Sequence, residues 1–249
     1  MIIAVSDIHI GYDKSNKDDF LRFLDEMKGE QIEHFVMVGD VFDFWRRNSI
    51  KTLLENEDVY TKITELNAEN IYYIVGNHDF YVKEWYEKFK DSYPFHVSKD
   101  LRLEDAGNSL YFTHGYEMEV LVNYELNLET YEQFAYNMCW NSDEKGSLLS
   151  KIWDTFRTIS KEEVDELKLK PSKRKELKNL YYFATSPARY IFLGIYPDEA
   201  LIFGHTHMPF IDKEQKVANT GSWVDELAEK VQNSYVEIVD GEMELKFFK

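Results

Sequence analysis

Apolar and polar positions come in alternating blocks along the first third of the chain. Ile2 to Val5 is a short apolar run, which predicts a buried strand. Between Asp18 and Met27, Phe20, Leu21 and Leu24 recur at helical spacing. Phe35 to Val38 is apolar again, Val59 to Leu66 reads as helix, Ile71 to Val75 as strand and Val82 to Phe89 as helix. Such a β-α-β-α-β-α rhythm implies parallel, buried strands with helices on their faces.

The texture changes at Asp100. Leu101 to Glu104 and Leu110 to Thr113 read as strands joined through Gly107-Asn108, a hairpin signal. From Glu117 to Pro197 the pattern is helical and rich in Tyr, Phe, Lys and Glu. Strand signals return at Leu201 to Phe203 and Lys216 to Ala218, then at Tyr235 to Val239 and Glu242 to Phe248 around Asp240-Gly241. The expectation is one α/β sandwich with a helical insertion between its strands.

Composition changes this picture little. A chain of 249 residues, 44% hydrophobic and 16% aromatic, has ample material for a packed core. The single cysteine, Cys139, excludes an intramolecular disulfide and fits a reducing compartment. There is no long apolar run, and MIIAVSDIHI has neither a basic start nor a small-residue cleavage site, so a cytoplasmic location is expected. A net charge of −17 repels polyphosphate backbones, which disfavours indiscriminate nucleic-acid binding. It does not constrain a local site, where bound cations would dominate the field.

The candidate chemistry lies just past the apolar runs. Ile2–Val5 is followed by Ser6-Asp7-Ile8-His9, and Phe35–Val38 by Gly39-Asp40-Val41-Phe42-Asp43. Ile71–Val75 is followed by Gly76-Asn77-His78-Asp79, Leu110–Thr113 by His114-Gly115, and Leu201–Phe203 by Gly204-His205-Thr206-His207. Ligands of open α/β sheets bind beyond the carboxyl ends of strands, so these loops should converge. Five of the seven histidines fall in them; only His34 and His96 do not. Singly, each segment has a structural explanation: an aspartate can cap a helix or close a turn, and a histidine can sit hydrogen-bonded in a core. Five such segments in one order are a different matter.

In that order the chain resembles the calcineurin-like metallophosphoesterase family, whose pattern is D-x-H, G-D-x-x-D, G-N-H-D, H-G and G-H-x-H. The resemblance implies a four-layer α-β-β-α sandwich formed by residues 1–116 and 198–249, with residues 117–197 as a helical lid insertion. It implies two divalent ions, most consistent with Mn²⁺ and compatible with Fe or Zn²⁺. Asp40 would be the shared ligand, with Asp7, His9 and His207 on one ion and Asn77, His114 and His205 on the other. Ions about 3.5–4 Å apart offset phosphate charge and supply a nucleophile near neutral pH. By the same resemblance His78 is catalytic over the phosphate, Asp79 orients its ring and raises its pKa, and Asp43 orients a metal ligand. Arg46 and Arg47 are candidates to grip a substrate phosphate, with a solvated helix surface as the alternative. Cys139 reads as a small core residue.

The serine/threonine protein phosphatases carry G-D-x-V-D-R-G and G-N-H-E, where this chain has GDVFDFWRR and Asp79. SbcD-type DNA nucleases share DIHxG, GD-x-F-D and GNHD but usually continue into further domains. The chain looks most like the UDP-diacylglucosamine hydrolase branch, through Gly39–Trp45, Phe80, a helical lid and Asn219-Thr220-Gly221-Ser222-Trp223. It departs from that branch at His78, where Arg is frequent, and throughout the lid. The expected partner is therefore a phosphorylated small molecule or nucleotide-linked substrate, with DNA or RNA, or a catalytically silent scaffold, as alternatives. Lys168, Lys170, Lys173, Arg174, Lys175 and Lys178 precede Leu180–Phe183 and Tyr190–Leu193 in the lid. That pairing fits either peripheral membrane contact or a solvated face above aromatics packed inward.

Overall fold

Residues 1–90, 93–122, 127–145 and 171–249 are described by the computed structural model. The first sheet has β1 (Ile2–Val5), β2 (Ile32–Val38), β3 (Ala68–Ile74) and β4 (His96–Ser98) side by side and parallel. Antiparallel to β1 and extending the other edge come β10 (Ser234–Val239) and β11 (Glu242–Phe247). The second sheet runs β5 (Asp100–Asp105), β6 (Asn108–Thr113), β7 (Ala200–Phe203), β9 (Val217–Asn219), β8 (Phe210–Asp212), with β6, β7 and β9 parallel. The helices are α1 (Lys17–Met27), α2 (Ser49–Glu55), α3 (Glu57–Thr64), α4 (Val82–Phe89), α5 (Tyr116–Val122) and α6 (Leu128–Lys145). Two more, α7 (Pro171–Thr185) and α8 (Ala188–Phe192), precede β7.

The period-two alternation of strand side chains builds the layers. Ile2 and Ala4 of β1, with Val36, Val38 and Ile74, meet Leu110, Phe112, Ala200, Ile202 and Ala218 between the sheets. Ile3 and Val5, with Phe35 and Met37, point the other way onto Phe20 and Phe23 of α1, Val59 and Ile63 of α3 and Ala135 and Cys139 of α6. On the far side Tyr111, Leu201, Phe203 and Val217 pack against Met118 of α5 and Leu180 and Ala184 of α7. The architecture is α-β-β-α, as the family resemblance implies. Each fully buried Val, Ile or Phe contributes about 1.5–3 kcal/mol, so the strand ends that carry the polar loops are firmly held.

Some element boundaries differ from the sequence expectation. The first hairpin turns at Ala106 and Gly107, both left-handed (φ 49° and 80°), and Asn108 already belongs to β6. The strands β4 and β8, three residues each, and the helix α2 carry too little periodicity to be read. Of the basic stretch, Lys168, Lys170 and the side chains of Lys173, Arg174 and Lys175 lie outside what is described. Lys178 lies 5.6 Å from the Tyr182 ring. The following aromatics divide: Phe183 and Tyr190 pack toward the second sheet, while Tyr182, Ile191 and Phe192 are exposed. Among the described residues no helix is long and apolar enough to cross a membrane.

Candidate metal centre

The loops after β1, β2, β3, β6 and β7 meet at one rim of the two sheets. Backbone hydrogen bonds tie them together: Asp7 N–H donates to Gly39 O (3.0 Å), His9 N–H to Asp40 O (2.9 Å) and Gly204 N–H to His114 O (2.9 Å). Close approach requires the glycines. A Cβ on Gly76 would lie 2.5 Å from Asp40 N, and one on Gly204 would lie 2.7 Å from Ser6 Cβ. Asp7, His9, Asp40, His205 and His207 all adopt left-handed backbone (φ 53°, 52°, 53°, 65° and 61°). Non-glycine residues rarely do so, and such strain concentrates where side chains must be aimed. Five of the seven expected metal ligands share it.

Three groups of side chains offer one donor atom each within 4.8 Å of one another: Asp7, His9 and His207; Asp40, His114 and His205; and His9, Asp43 and His78. His9 Nε2 and His207 Nε2 approach to 3.1 Å. Asp7 Oδ1 lies 3.3 Å from His207 Nε2, and Asp40 Oδ2 lies 3.2 Å from His114 Nε2 and 3.7 Å from His9 Nε2. The outward nitrogens are held: His114 Nδ1 is 2.8 Å from Val38 O, and His9 Nδ1 is 3.2 Å from Asp43 Oδ2. A neutral imidazole whose Nδ1–H donates outward keeps its Nε2 lone pair for the cluster.

These residues fit divalent cations. Asp7 Oδ1 and Asn77 Oδ1 are buried acceptors with no hydrogen bond among the described residues, and buried His114 Nε2 faces Asp40 Oδ2 at 3.2 Å. Unsatisfied buried acceptors of this kind are rare and costly without a ligand. Carboxylate and amide oxygens mixed with imidazoles suit Mn²⁺, Fe or Zn²⁺. The field favours positive charge. Burial by itself would raise Asp7 and Asp40, but the surrounding histidines together outweigh it, His114 foremost, with His207 at Asp7 and His78 at Asp40, and both carboxyls fall below the usual range. Burial would lower His114, yet Asp40 and Asp7 push it up to about 10.

Two sequence expectations need correction. Asp79 does not orient the His78 ring: its carboxylate accepts hydrogen bonds from Gly76 N–H (2.6 Å), Val41 N–H (2.8 Å) and the Tyr73 hydroxyl (2.6 Å). The carboxylate beside His78 is Asp43, whose Oδ1 lies 3.1 Å from His78 Nδ1. The physical reason is the turn after β3, which folds Asp79 back beneath its own loop. Nor is the His78 pKa raised; burial lowers it to about 4, although Asp43 and Asp40 oppose the shift. The ring is packed by Trp45, stacked at 4.2 Å and 21°. Burial pushes Asp79 itself up to about 7, with Asp40 adding to the shift.

The two arginines part company. Arg46 is buried, ion-paired to Asp43, 3.5 Å from His78 Nδ1 and 4.1 Å from the Tyr12 ring centre. Arg47 is not at the site: it reaches Asp13 (2.8 Å) and Glu55 (3.6 Å) on the surface. His34 and His96 stay away on β2 and β4.

Supporting residues come from segments whose pattern sequence reading only partly used. Asn219 donates to Gly204 O (2.6 Å) and Thr206 Oγ1 (3.1 Å), and Thr220 meets Ser6 Oγ at 2.5 Å. Asn219 ends β9 and Thr220 follows it, much as the other loops follow their strands, so the same rule could have found them. Glu119 on α5, 2.5 Å from His205 Nε2, has no comparable signal. Cys139 of α6 is buried with its thiol 3.4 Å from His78 O, and Phe134 of α6 packs edge-on against Trp45.

The chain belongs to the calcineurin-like phosphoesterase family, matched over residues 1–209. Over 102 residues, 38% of this chain and 22% of the relative, it is 33% identical to an uncharacterized protein of Acanthamoeba polyphaga mimivirus. Over 90 residues, 34% of this chain and 36% of the relative, it is 32% identical to UDP-2,3-diacylglucosamine hydrolase of Psychromonas ingrahamii. The matches thus span only about a fifth to a third of the length of these curated relatives. Among solved structures it is similar to an archaeal phosphodiesterase at 16% identity, covering 98% of each chain with a TM-score of 0.49.

Proposed function

We propose that this protein is a two-metal phosphohydrolase acting on a phosphoester or pyrophosphate bond of a small, nucleotide-linked substrate in the cytoplasm. Asp7, His9 and His207 would hold one divalent ion and Asn77, His114 and His205 the other, with Asp40 common to both. Manganese suits the donor set. When bound, such ions offset charge on the phosphate oxygens and supply a nucleophile near neutral pH. The observation that carries this reading is the gathering of donor atoms from separate loops: Asp7, His9 and His207, and Asp40, His114 and His205, each offer one atom within 4.8 Å of one another.

The chain's own groups would do the rest. Asp43 holds His78 through Nδ1; the neutral ring then offers Nε2 only as an acceptor, and it is the protonated ring whose Nε2–H would donate to a phosphate or leaving-group oxygen. Arg46, pinned by the same carboxylate, adds fixed positive charge for a substrate anion. The helices within residues 117–197 would act as a lid, with α6 closing over the Trp45–His78 stack through Phe134. A diacylglucosamine-linked pyrophosphate is the favoured substrate, supported by the 32% identity over 90 residues to an enzyme named for it.

The test is turnover by Mn²⁺-loaded protein on nitrophenyl mono- and diesters, UDP-sugars, UDP-diacylglucosamine and single-stranded DNA. Hydrolysis of the nucleotide-linked pyrophosphate, abolished in Asp40→Ala and reduced with metal retained in His78→Ala, is the expected result. Wild-type turnover by Asp40→Ala refutes the mechanism, and DNA cleavage alone refutes the substrate class.

A further inference from the structure

The imidazoles of the cluster share a plan with one inversion. His9 and His114 are tied outward through Nδ1, to Asp43 Oδ2 (3.2 Å) and Val38 O (2.8 Å), with Nε2 toward Asp40. His207 likewise has Nε2 beside Asp7 Oδ1 (3.3 Å), while its Nδ1 lies 3.9 Å from Glu226. His205 is reversed: its Nε2 is the tied atom, 2.5 Å from Glu119 Oε2. A neutral imidazole has one ring proton. Held on Nε2 by a carboxylate, that proton leaves only the Nδ1 lone pair for the group in which His205 offers one atom beside Asp40 and His114.

We infer that Glu119 is a positioning residue for the second ion, setting the tautomer and ring orientation of His205 from helix α5. This deepens the two-ion reading above and rests on it. The connection is short. Helix α5 begins directly after His114-Gly115, and Tyr116, Met118 and Val120 on either side of Glu119 are buried. One segment of six residues, His114 to Glu119, therefore supplies one ligand and orients another. The His205 backbone is held independently by its N–H on Asp7 Oδ2 (2.9 Å), so Glu119 acts on the ring rather than on the loop. A carboxylate behind a ligating histidine fixes its orientation and raises its basicity, and its loss costs about 10- to 100-fold in metal affinity.

Two measurements test this. In metal-free ¹⁵N-labelled protein, long-range ¹H–¹⁵N NMR should find His205 protonated at Nε2 in wild type and in Glu119→Gln, whose amide oxygen still accepts. Glu119→Ala should show a tautomer mixture. A wild-type His205 protonated at Nδ1 overturns the inference. Mn²⁺ titration followed by electron paramagnetic resonance should show two ions on wild type. In Glu119→Ala the second should be weakened about 10- to 100-fold with the first unchanged, and Glu119→Gln should recover part of that loss. Equal second-ion affinity in Glu119→Ala, or Gln as damaging as Ala, defeats the role of Glu119 while two-ion binding stands. A wild-type protein that takes up no Mn²⁺ defeats the two-ion reading and this one together.

Discussion

Replacing Asp79 with alanine separates a scaffold role from a chemical one. The Asp79 carboxylate, fully buried, accepts from Gly76 N–H, Val41 N–H and the Tyr73 hydroxyl at 2.6, 2.8 and 2.6 Å. These donors belong to the loops after β3 and β2 and to β3 itself, so one side chain joins two of the converging loops. Each buried donor left without an acceptor costs about 1–3 kcal/mol, so the three together cost about 3–9 kcal/mol before any relaxation. A domain of this kind has about 5–15 kcal/mol in total. Asp79→Ala should therefore lose much of its stability. Asp79→Asn keeps one acceptor oxygen and sets an amide N–H₂ against a backbone N–H, so it should lose about 1–3 kcal/mol. Tyr73→Phe removes a single hydrogen bond and should lose about 1 kcal/mol. Urea unfolding in EDTA measures all three without any metal contribution. If Asp79→Ala keeps the wild-type urea midpoint yet loses turnover, the residue acts on the reaction, and the assignment to the scaffold is wrong.

Gly204→Ala places a methyl group against Ser6 and the Asp7 carboxylate; retained secondary structure with loss of bound Mn²⁺, by elemental analysis, is expected. Arg46→Ala strands the buried Asp43 charge and should destabilise by about 3–5 kcal/mol, whereas Arg47→Ala, losing surface pairs, should stay within about 0.5 kcal/mol; chemical denaturation compares them. Mn²⁺ at about 100 times its dissociation constant should stabilise wild type by about 2.7 kcal/mol for each site filled. Thermal unfolding should show that shift, and Asp40→Ala should abolish it.

How much of this was legible follows from what periodicity reports. Ile2–Val5, Phe35–Val38 and Leu201–Phe203 are three or four apolar residues each, enough to mark strands and hence the loops after them. The strand His96–Ser98 has an exposed, a buried and a half-buried residue, no more pattern than a loop. Arg46 and Arg47 are adjacent and chemically alike, yet one is buried on Asp43 and the other is at the surface. Nothing in a two-residue motif separates them.

Taken by itself, the chain's amino-acid order determined the succession of strands and helices and the candidate donors past the strand ends, because apolar runs specify strands and the residues after parallel strands must emerge at one edge; the four layers and the sharing of ligands between two ions were what the family resemblance implied. Only tertiary structure decided which carboxylate serves which imidazole. Asp43 and His78 lie thirty-five positions apart and meet at 3.1 Å, whereas Asp79, adjacent in sequence, turns to Gly76, Val41 and Tyr73. A hydrogen bond is made or lost within a few tenths of an ångström. Distances that fine depend on how separate strands and their left-handed loop residues are packed, which no local pattern encodes.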